Sequence, residues 1–254
     1  MLLWVDFSPE AADIILEVGS APLSLCLWKS FSASKGRTEK RMYIVQLSLR
    51  FMFGALTSYA PSFIKKRIWD QKYSAGKWKN FSERMAGDFL YPYLERHAKG
   101  GSILDLGCGT GTTANEIALS AYNSYVGLDI SVTALDKARE RSEITDRARK
   151  HTFLEGDFLK YSPQQQFDVI LFRESLYHVP LGRIKTILDR YAKHLKGGGV
   201  FIVRIMTKQN ENGREKFRPI AMIRAIESGF EVIEKVQYGE LGDTLVVFRP
   251  MALD

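Results

Sequence analysis

Cysteine is scarce in this sequence: there are two in 254 residues, Cys26 and Cys108. That count argues against a disulfide framework and for a reducing, cytoplasmic setting, since Cys108 lies inside a glycine loop. Histidine is nearly as rare, at four, and neither residue type falls at metal-ligand spacing, so no metal site is expected. A basic n-region is also missing. Met1-Leu2-Leu3-Trp4 is apolar, but Asp6 and Glu10 follow with no basic residue before them, which argues against a signal peptide. The richest apolar stretch, residues 42–64, is interrupted by Gln46, Ser48, Arg50 and Gly54, so it lacks the run of about 18 apolar residues expected of a membrane span. No internal repeat or low-complexity tract is evident.

The chain is long enough for one large domain, or one domain with an extension. Its net charge of +7 is concentrated. Residues 35–84 hold twelve Lys or Arg against Glu39, Asp70 and Glu83, a local charge of +9 that leaves −2 for everything else. Such a segment suits attraction to an anionic partner, or it is simply a solvated helix face.

Three regions follow. Residues 1–41 read as an N-terminal extension, dispensable to the fold and ending in the polar, basic stretch Ser30–Arg41. Residues 42–67 form a basic amphipathic segment that either packs on the domain or lies on a membrane surface, a peripheral contact. Residues 68–254 form the main domain. Within it, Trp69, Tyr73 and Trp78 lie close together with Gly76; they form the lid of a small-molecule pocket or anchor the segment to the core. Phe81–His97 reads as an amphipathic helix, with Pro92 predicting a kink or break.

From Ser102 the pattern alternates. Strands are expected at Ser102–Leu106, Ser124–Leu128, His151–Glu155, Phe167–Phe172 and Gly199–Ile205. Helices are expected at Thr112–Ser120, Val132–Arg141 and Leu181–Leu195. After a helix over Phe217–Ser228, Glu231–Tyr238 and Thr244–Arg249 are close enough in sequence to pair as a hairpin. The expected class is α/β: a Rossmann-like, seven-stranded, mostly parallel sheet with a C-terminal antiparallel hairpin and helices on both faces.

Three elements carry chemistry. Asp105-Leu106-Gly107-Cys108-Gly109-Thr110-Gly111 runs from a strand into a glycine loop and a helix. A dinucleotide fingerprint would place its third glycine at 112, where this chain has Thr112, so the spacing fits a shorter turn with no pyrophosphate to cradle. Asp129, at the end of the second strand, can accept both hydroxyls of a ribose, or it caps the next helix, a task Ser131 can also perform. Asp157-Phe158, after the third strand, suits an adenine, with a carboxylate for the amine and a ring for the face; Gly156-Asp157 is also ordinary turn chemistry. The three elements fall at the carboxyl ends of strands one, two and three, where open α/β sheets bind ligands.

Ile103–Gly111, Gly127–Ser131, Gly156–Asp157, Phe167–Tyr177 and Leu195–Gly199 together resemble the class I S-adenosylmethionine-dependent methyltransferases. Tyr73-x-x-Gly76-x-Trp78, Glu174-Ser175-Leu176-Tyr177 and Phe248-Arg249-Pro250 look more narrowly like small-molecule methyltransferases of saccharides, including nodulation-factor N-methyltransferases. Arg173 and His178 depart from the Asn and Tyr usual there, as Gly197 departs from the usual proline. The resemblance implies S-adenosyl-L-methionine as cofactor, with Asp105, Gly107, Cys108, Gly109, Asp129, Ile130, Asp157, Phe158, Arg173, Tyr73 and Trp78 as its binding residues. It implies methyl transfer to a nitrogen or oxygen of a small molecule, such as a saccharide or glycolipid intermediate. Glu174, Tyr177 and His178 are the catalytic candidates; if their segment is helical, Glu174 and His178 share one face. His178 suits a base near neutrality, or is an exposed loop histidine before Pro180. The alternatives are an RNA or protein methyltransferase, for which the basic segment is the only support, and a non-catalytic cofactor-binding protein. The residues after strand four lack the aromatic acceptor motif of nucleic-acid enzymes, so a nucleic-acid partner is not expected. Nothing in the sequence speaks to oligomeric state.

Overall fold

A computed structural model describes residues 59–75, 87–206, 217–239 and 243–251, all within a unit running from 54 to 254. The 1–41 extension, residues 42–58 of the basic segment, Trp78 and residues 81–86 of the expected helix lie outside the described residues.

Seven strands form one sheet: β1 (Gly101–Leu106), β2 (Tyr122–Asp129), β3 (His151–Glu155), β4 (Phe167–Arg173), β5 (Leu195–Ile205), β6 (Glu231–Tyr238) and β7 (Asp243–Arg249). Their order is β3-β2-β1-β4-β5-β7-β6. Strands β1 to β5 pair in parallel, while β7 runs antiparallel to both β5 and β6. The fold is therefore the expected Rossmann-like one, with the hairpin strand β7, rather than β6, against β5.

The central strands are near-continuous apolar runs because both faces are covered. Val169, Ile170, Leu171 and Phe172 of β4 are wholly buried, as are Leu245 to Phe248 of β7. One face packs against α5 (Ile184–Ala192) and α6 (Phe217–Gly229); the other packs against α2 (Leu90–Ala98), α3 (Thr112–Glu116) and α4 (Val132–Ile144). In α5 the buried residues are Ile184, Ile187, Leu188 and Tyr191, a single apolar stripe at helical spacing. Helix α1 (Ser62–Ser74) differs: Lys65 is its only buried residue. It crosses the boundary expected at 67/68.

Several edges differ from expectation for local reasons. Pro92 causes no break because it falls in the first turn of α2, where the backbone N–H has no intrahelical partner to lose. Thr112–Ser120 shortens to α3, and Leu181–Leu195 divides into a 3-10 turn at Leu181–Arg183 and α5. Strand β5 starts early at Leu195. Its register then jumps from Phe167↔Leu195 to Val169↔Val200, so Lys196–Gly199 bulge out. No helix among the described residues is long and apolar enough to cross a membrane.

The chain leaves β1 towards β2 and β3, then crosses back to β4 and β5. This reversal opens a crevice between the carboxyl ends of β1 and β4, the switch point where such sheets bind ligands.

Candidate active site

One pocket lies at that switch point. It is lined by every predicted site residue that falls among the described ones: Asp105, Gly107, Cys108 and Gly109 after β1; Asp129 and Ile130 after β2; Asp157 and Phe158 after β3; and Arg173, Glu174, Tyr177 and His178 after β4, with Tyr73 from α1.

The glycine loop has to be glycine. Gly107 has φ 86°, and a Cβ there would stand 2.6 Å from Ser175 Cβ. Gly109 has φ 55°, and a Cβ there would stand 2.9 Å from Tyr73 Oη. Both backbones therefore adopt a conformation that side chains disfavour, and both meet a close neighbour. The Cys108 thiol is buried, and burial pushes its pKa up, so it is not poised as a nucleophile.

Asp129 is held from both sides. Gly109 N–H donates to Oδ2 at 2.8 Å and Ser131 N–H to Oδ1 at 2.9 Å. Ser131 caps α4 by accepting from Ala134 N–H, so Asp129 is spared that task. Burial pushes Asp129 up to about 6 against these backbone donors. Asp105 lies deeper. Tyr125 Oη donates to its Oδ2, while Oδ1 is buried without a hydrogen-bond partner among the described residues; burial pushes this carboxyl up to about 7. Ser175 Oγ, in the same pocket, is also buried and has no hydrogen-bond partner among the described residues.

Asp157 is already engaged. Ser62 Oγ donates to Oδ2 at 2.9 Å, Lys65 Nζ pairs with the same oxygen at 2.5 Å, and Leu159 N–H donates to Oδ1 at 3.0 Å. Arg173 turns its guanidinium to Tyr91 Oη, Thr113 Oγ1 and Asp88 Oδ2.

The segment after β4 is not an α-helix, so the condition under which Glu174 and His178 would share a face is not met. Glu174 has φ 54°, and only Leu176–His178 form a 3-10 turn. A left-handed residue followed by one short turn removes the i, i+4 relation. Glu174 N–H donates to Arg204 O at 3.0 Å, and Arg204 Nη1 bonds its carboxylate. Burial pushes Glu174 up to about 7, with Arg204 pulling down against it. His178 packs edge-on against Trp69, with ring centroids 5.1 Å apart.

Sequence reasoning missed Lys65, Ser175 and Arg204. Lys65 sits in the basic run Lys65-Lys66-Arg67 and carries no local signal that separates it from a surface lysine. Ser175 stood inside the quoted Glu174–Tyr177 element but was given no role. An arginine in the otherwise apolar strand Val200–Ile205 could have flagged Arg204, since a buried charge needs a partner.

Residues 103–199 match the family model described as a methyltransferase domain. Those residues carry a methyltransferase domain, and the fold around them is that of class I S-adenosylmethionine-dependent methyltransferases. The chain is 27% identical over 212 residues to the sterol 24-C-methyltransferase ERG6A of Gibberella zeae, covering 71% of this chain and 55% of that one. It is 34% identical over 128 residues to the carboxy-S-adenosyl-L-methionine synthase of Desulfotalea psychrophila, covering 48% and 52%. The chain thus spans about half the length of these curated relatives. Among solved structures, DhpI in complex with SAH superposes with a TM-score of 0.55 at 21% identity, covering 72% of this chain and 94% of that one. The N-methyltransferase NodS of Bradyrhizobium japonicum with S-adenosyl-L-homocysteine gives 0.51 at 20%, covering 66% and 90%. At these identities the two structures speak to the fold.

The pocket fits S-adenosylmethionine. The unpartnered Asp105 Oδ1 suits an ammonium, Asp129 keeps acceptor capacity for ribose hydroxyls, and the glycine loop lets backbone approach closely. Asp157, after β3, is the carboxylate to which α1 is attached.

Proposed function

We propose that this protein transfers the methyl group of S-adenosylmethionine to a nitrogen or oxygen of a small molecule, a saccharide or glycolipid amine or hydroxyl being the class we favour. The observation that carries the reading is the pairing, in one pocket, of the unpartnered Asp105 Oδ1 with the Glu174 carboxylate. The first suits the cofactor's ammonium and the second suits the acceptor.

When bound, S-adenosylmethionine supplies an electrophilic methyl on a sulfonium, which departs as a neutral thioether. The remaining demands fall on the chain. Asp105 and Asp129 hold and orient. The half-buried rings of Trp69, Tyr73 and Tyr177 wall the pocket from solvent, which strengthens the polar contacts inside it. Glu174 orients the acceptor and takes the proton it loses, its proton affinity near neutrality suiting that exchange. His178, against Trp69, shapes the acceptor wall.

The basic segment supports a polyanionic acceptor less than its charge suggests. Lys65 is buried on Asp157 and Lys66 pairs with Glu155, so part of that charge is internal. The sterol relatives bring a carbon acceptor as the competing reading.

Calorimetry tests the cofactor: S-adenosylmethionine is expected to bind, and binding of NAD instead would overturn the reading. A labelled-methyl transfer screen against amine, saccharide, sterol and RNA pools tests the acceptor. Label in the amine or saccharide pools supports the proposal; label confined to sterols or RNA overturns it.

A further inference from the structure

Glu174 is held by an arrangement that reaches well beyond the pocket. Its φ of 54° is maintained by two bonds to one residue of β5, its N–H to Arg204 O and its carboxylate to Arg204 Nη1. Arg204 Nη2 serves two further carboxylates, Asp88 Oδ2 at 3.1 Å and Asp243 Oδ2 at 3.0 Å. Arg173, the β4 register partner of Arg204, shares the same Asp88 oxygen at 3.2 Å. The side chains of Arg204, Glu174 and Asp88 are 5%, 7% and 3% exposed, and that of Asp243 is 20% exposed.

Among the described residues of this cluster, two guanidiniums face three carboxylates. Asp88 is pinned between both arginines, and Asp243 is nearest to water. Glu174 faces the pocket and is the member that can exchange a proton with a bound acceptor. Besides these groups, Tyr177 faces Glu174 from the turn after β4, and Met206 N–H donates to it from the end of β5.

Resting on the methyl-transfer reading, we propose that Arg204 is a positioning residue for Glu174 and that Asp243, outside the pocket on β7, divides the Arg204 guanidinium with it. The strand that joins the terminal hairpin to the parallel sheet thereby sets how firmly the acceptor-side carboxylate is held. Neutralising Asp243 leaves Arg204 more fully to Glu174 and removes a nearby like charge. Both changes favour the ionised form of Glu174.

The test needs no acceptor. In protein labelled with carboxyl-13C glutamate, the Glu174 resonance is assigned by its loss in Glu174→Gln and followed against pH. Asp243→Asn is expected to lower its titration midpoint by about half a unit or more, and Asp243→Glu to restore it. An unmoved midpoint in folded Asp243→Asn would overturn the proposal. Arg204→Met is expected to raise the midpoint; if that variant does not fold, Asp243→Asn decides alone. The methyl-transfer reading fails separately, by absence of S-adenosylmethionine binding to the unaltered protein.

Discussion

Lys65 reaches out of helix α1 to pair with Asp157 at 2.5 Å, and both side chains are 7% exposed. The pair joins a helix whose one buried side chain is Lys65 to the carboxylate proposed for an adenine amine. Beside the ring contact of Trp69 with His178, further attachments of α1 are polar: Lys66 to Glu155, Asp70 to Ser131 Oγ and Thr133 N–H, and Lys137 to the Tyr73 carbonyl. A helix held by polar contacts separates from its support with less loss of apolar burial than one held by a hydrophobic stripe.

Lys65→Met is therefore expected to loosen α1 while releasing Asp157 to the cofactor. S-adenosylhomocysteine binding by calorimetry should strengthen by about 0.5–1.5 kcal/mol, the usual net value of one hydrogen bond. Weaker binding would mean that Lys65 faces the ligand directly. Acid acts on the same pair. Although burial pushes Asp157 up, Lys65, Leu159 N–H and Ser62 hold it below the usual carboxylate range. Its contribution to stability is present above the unfolded value near 4 and is lost as pH falls through the lower folded value. Proteolysis within α1 should accelerate only in that acid range.

Asp129→Ala separates binding from folding. Ser131 already caps α4, so the helix keeps its N-terminus. The proposed ribose acceptor and the anchor for Gly109 N–H are both lost. Cofactor affinity should fall by about 1.5–3 kcal/mol, as for hydrogen bonds to a charged group, with the thermal midpoint moving much less. An equal loss of both would return Asp129 to a structural role.

How far the sequence could be read depended on where each residue's partners lie. Val169 to Phe172 and Ile103-Leu104 are apolar runs bounded by turn residues, so β1 and β4 and the glycine loop between sheet and helix were legible locally. Asp105, Asp129 and Asp157 were legible because strand ends are places that a pattern can count to. Lys65 and Glu174 were not. Lys65 is defined by a partner 92 residues away and Glu174 by one 30 residues away, and nothing in Lys65-Lys66-Arg67 or Arg173–His178 announces either. Whether Glu174 and His178 share a helical face was open in the sequence for the same reason: the bonds to Arg204 hold a left-handed residue that local propensity disfavours.

His151 offers a pH test remote from the pocket. Its Nε2 lies 2.7 Å from Tyr122 Oη and its Nδ1 2.7 Å from Ser142 Oγ. Burial, then Arg147 and Lys150, lowers its pKa to about 4. The unfolded chain, with an ordinary value near 6.5, binds the proton first. The stability it contributes is thus fully present above about 6.5 and is lost as pH falls towards 4. Urea midpoints should drop between pH 7 and pH 5, and His151→Gln should flatten that slope. A slope unchanged by the substitution would assign it to other groups.

Two glycines give the sharpest contrast. At Gly107 a side chain meets Ser175 Cβ at 2.6 Å on a backbone with φ 86°, at the mouth of the loop that the cofactor must approach. At Gly182 a Cβ meets nothing within 4 Å, and φ lies outside the left-handed range. Gly107→Ala should cost about 1–3 kcal/mol of stability from backbone strain alone, with further loss from the collision, and should abolish S-adenosylhomocysteine binding. Gly182→Ala should be neutral or stabilise by up to about 1 kcal/mol by restricting the unfolded chain, with binding intact. Thermal melts with and without S-adenosylhomocysteine read both effects at once. The ligand-induced rise in midpoint should survive in Gly182→Ala and vanish in Gly107→Ala. A rise retained in Gly107→Ala would show that the loop can give way, and that the close approach of Ser175 is not what requires glycine there.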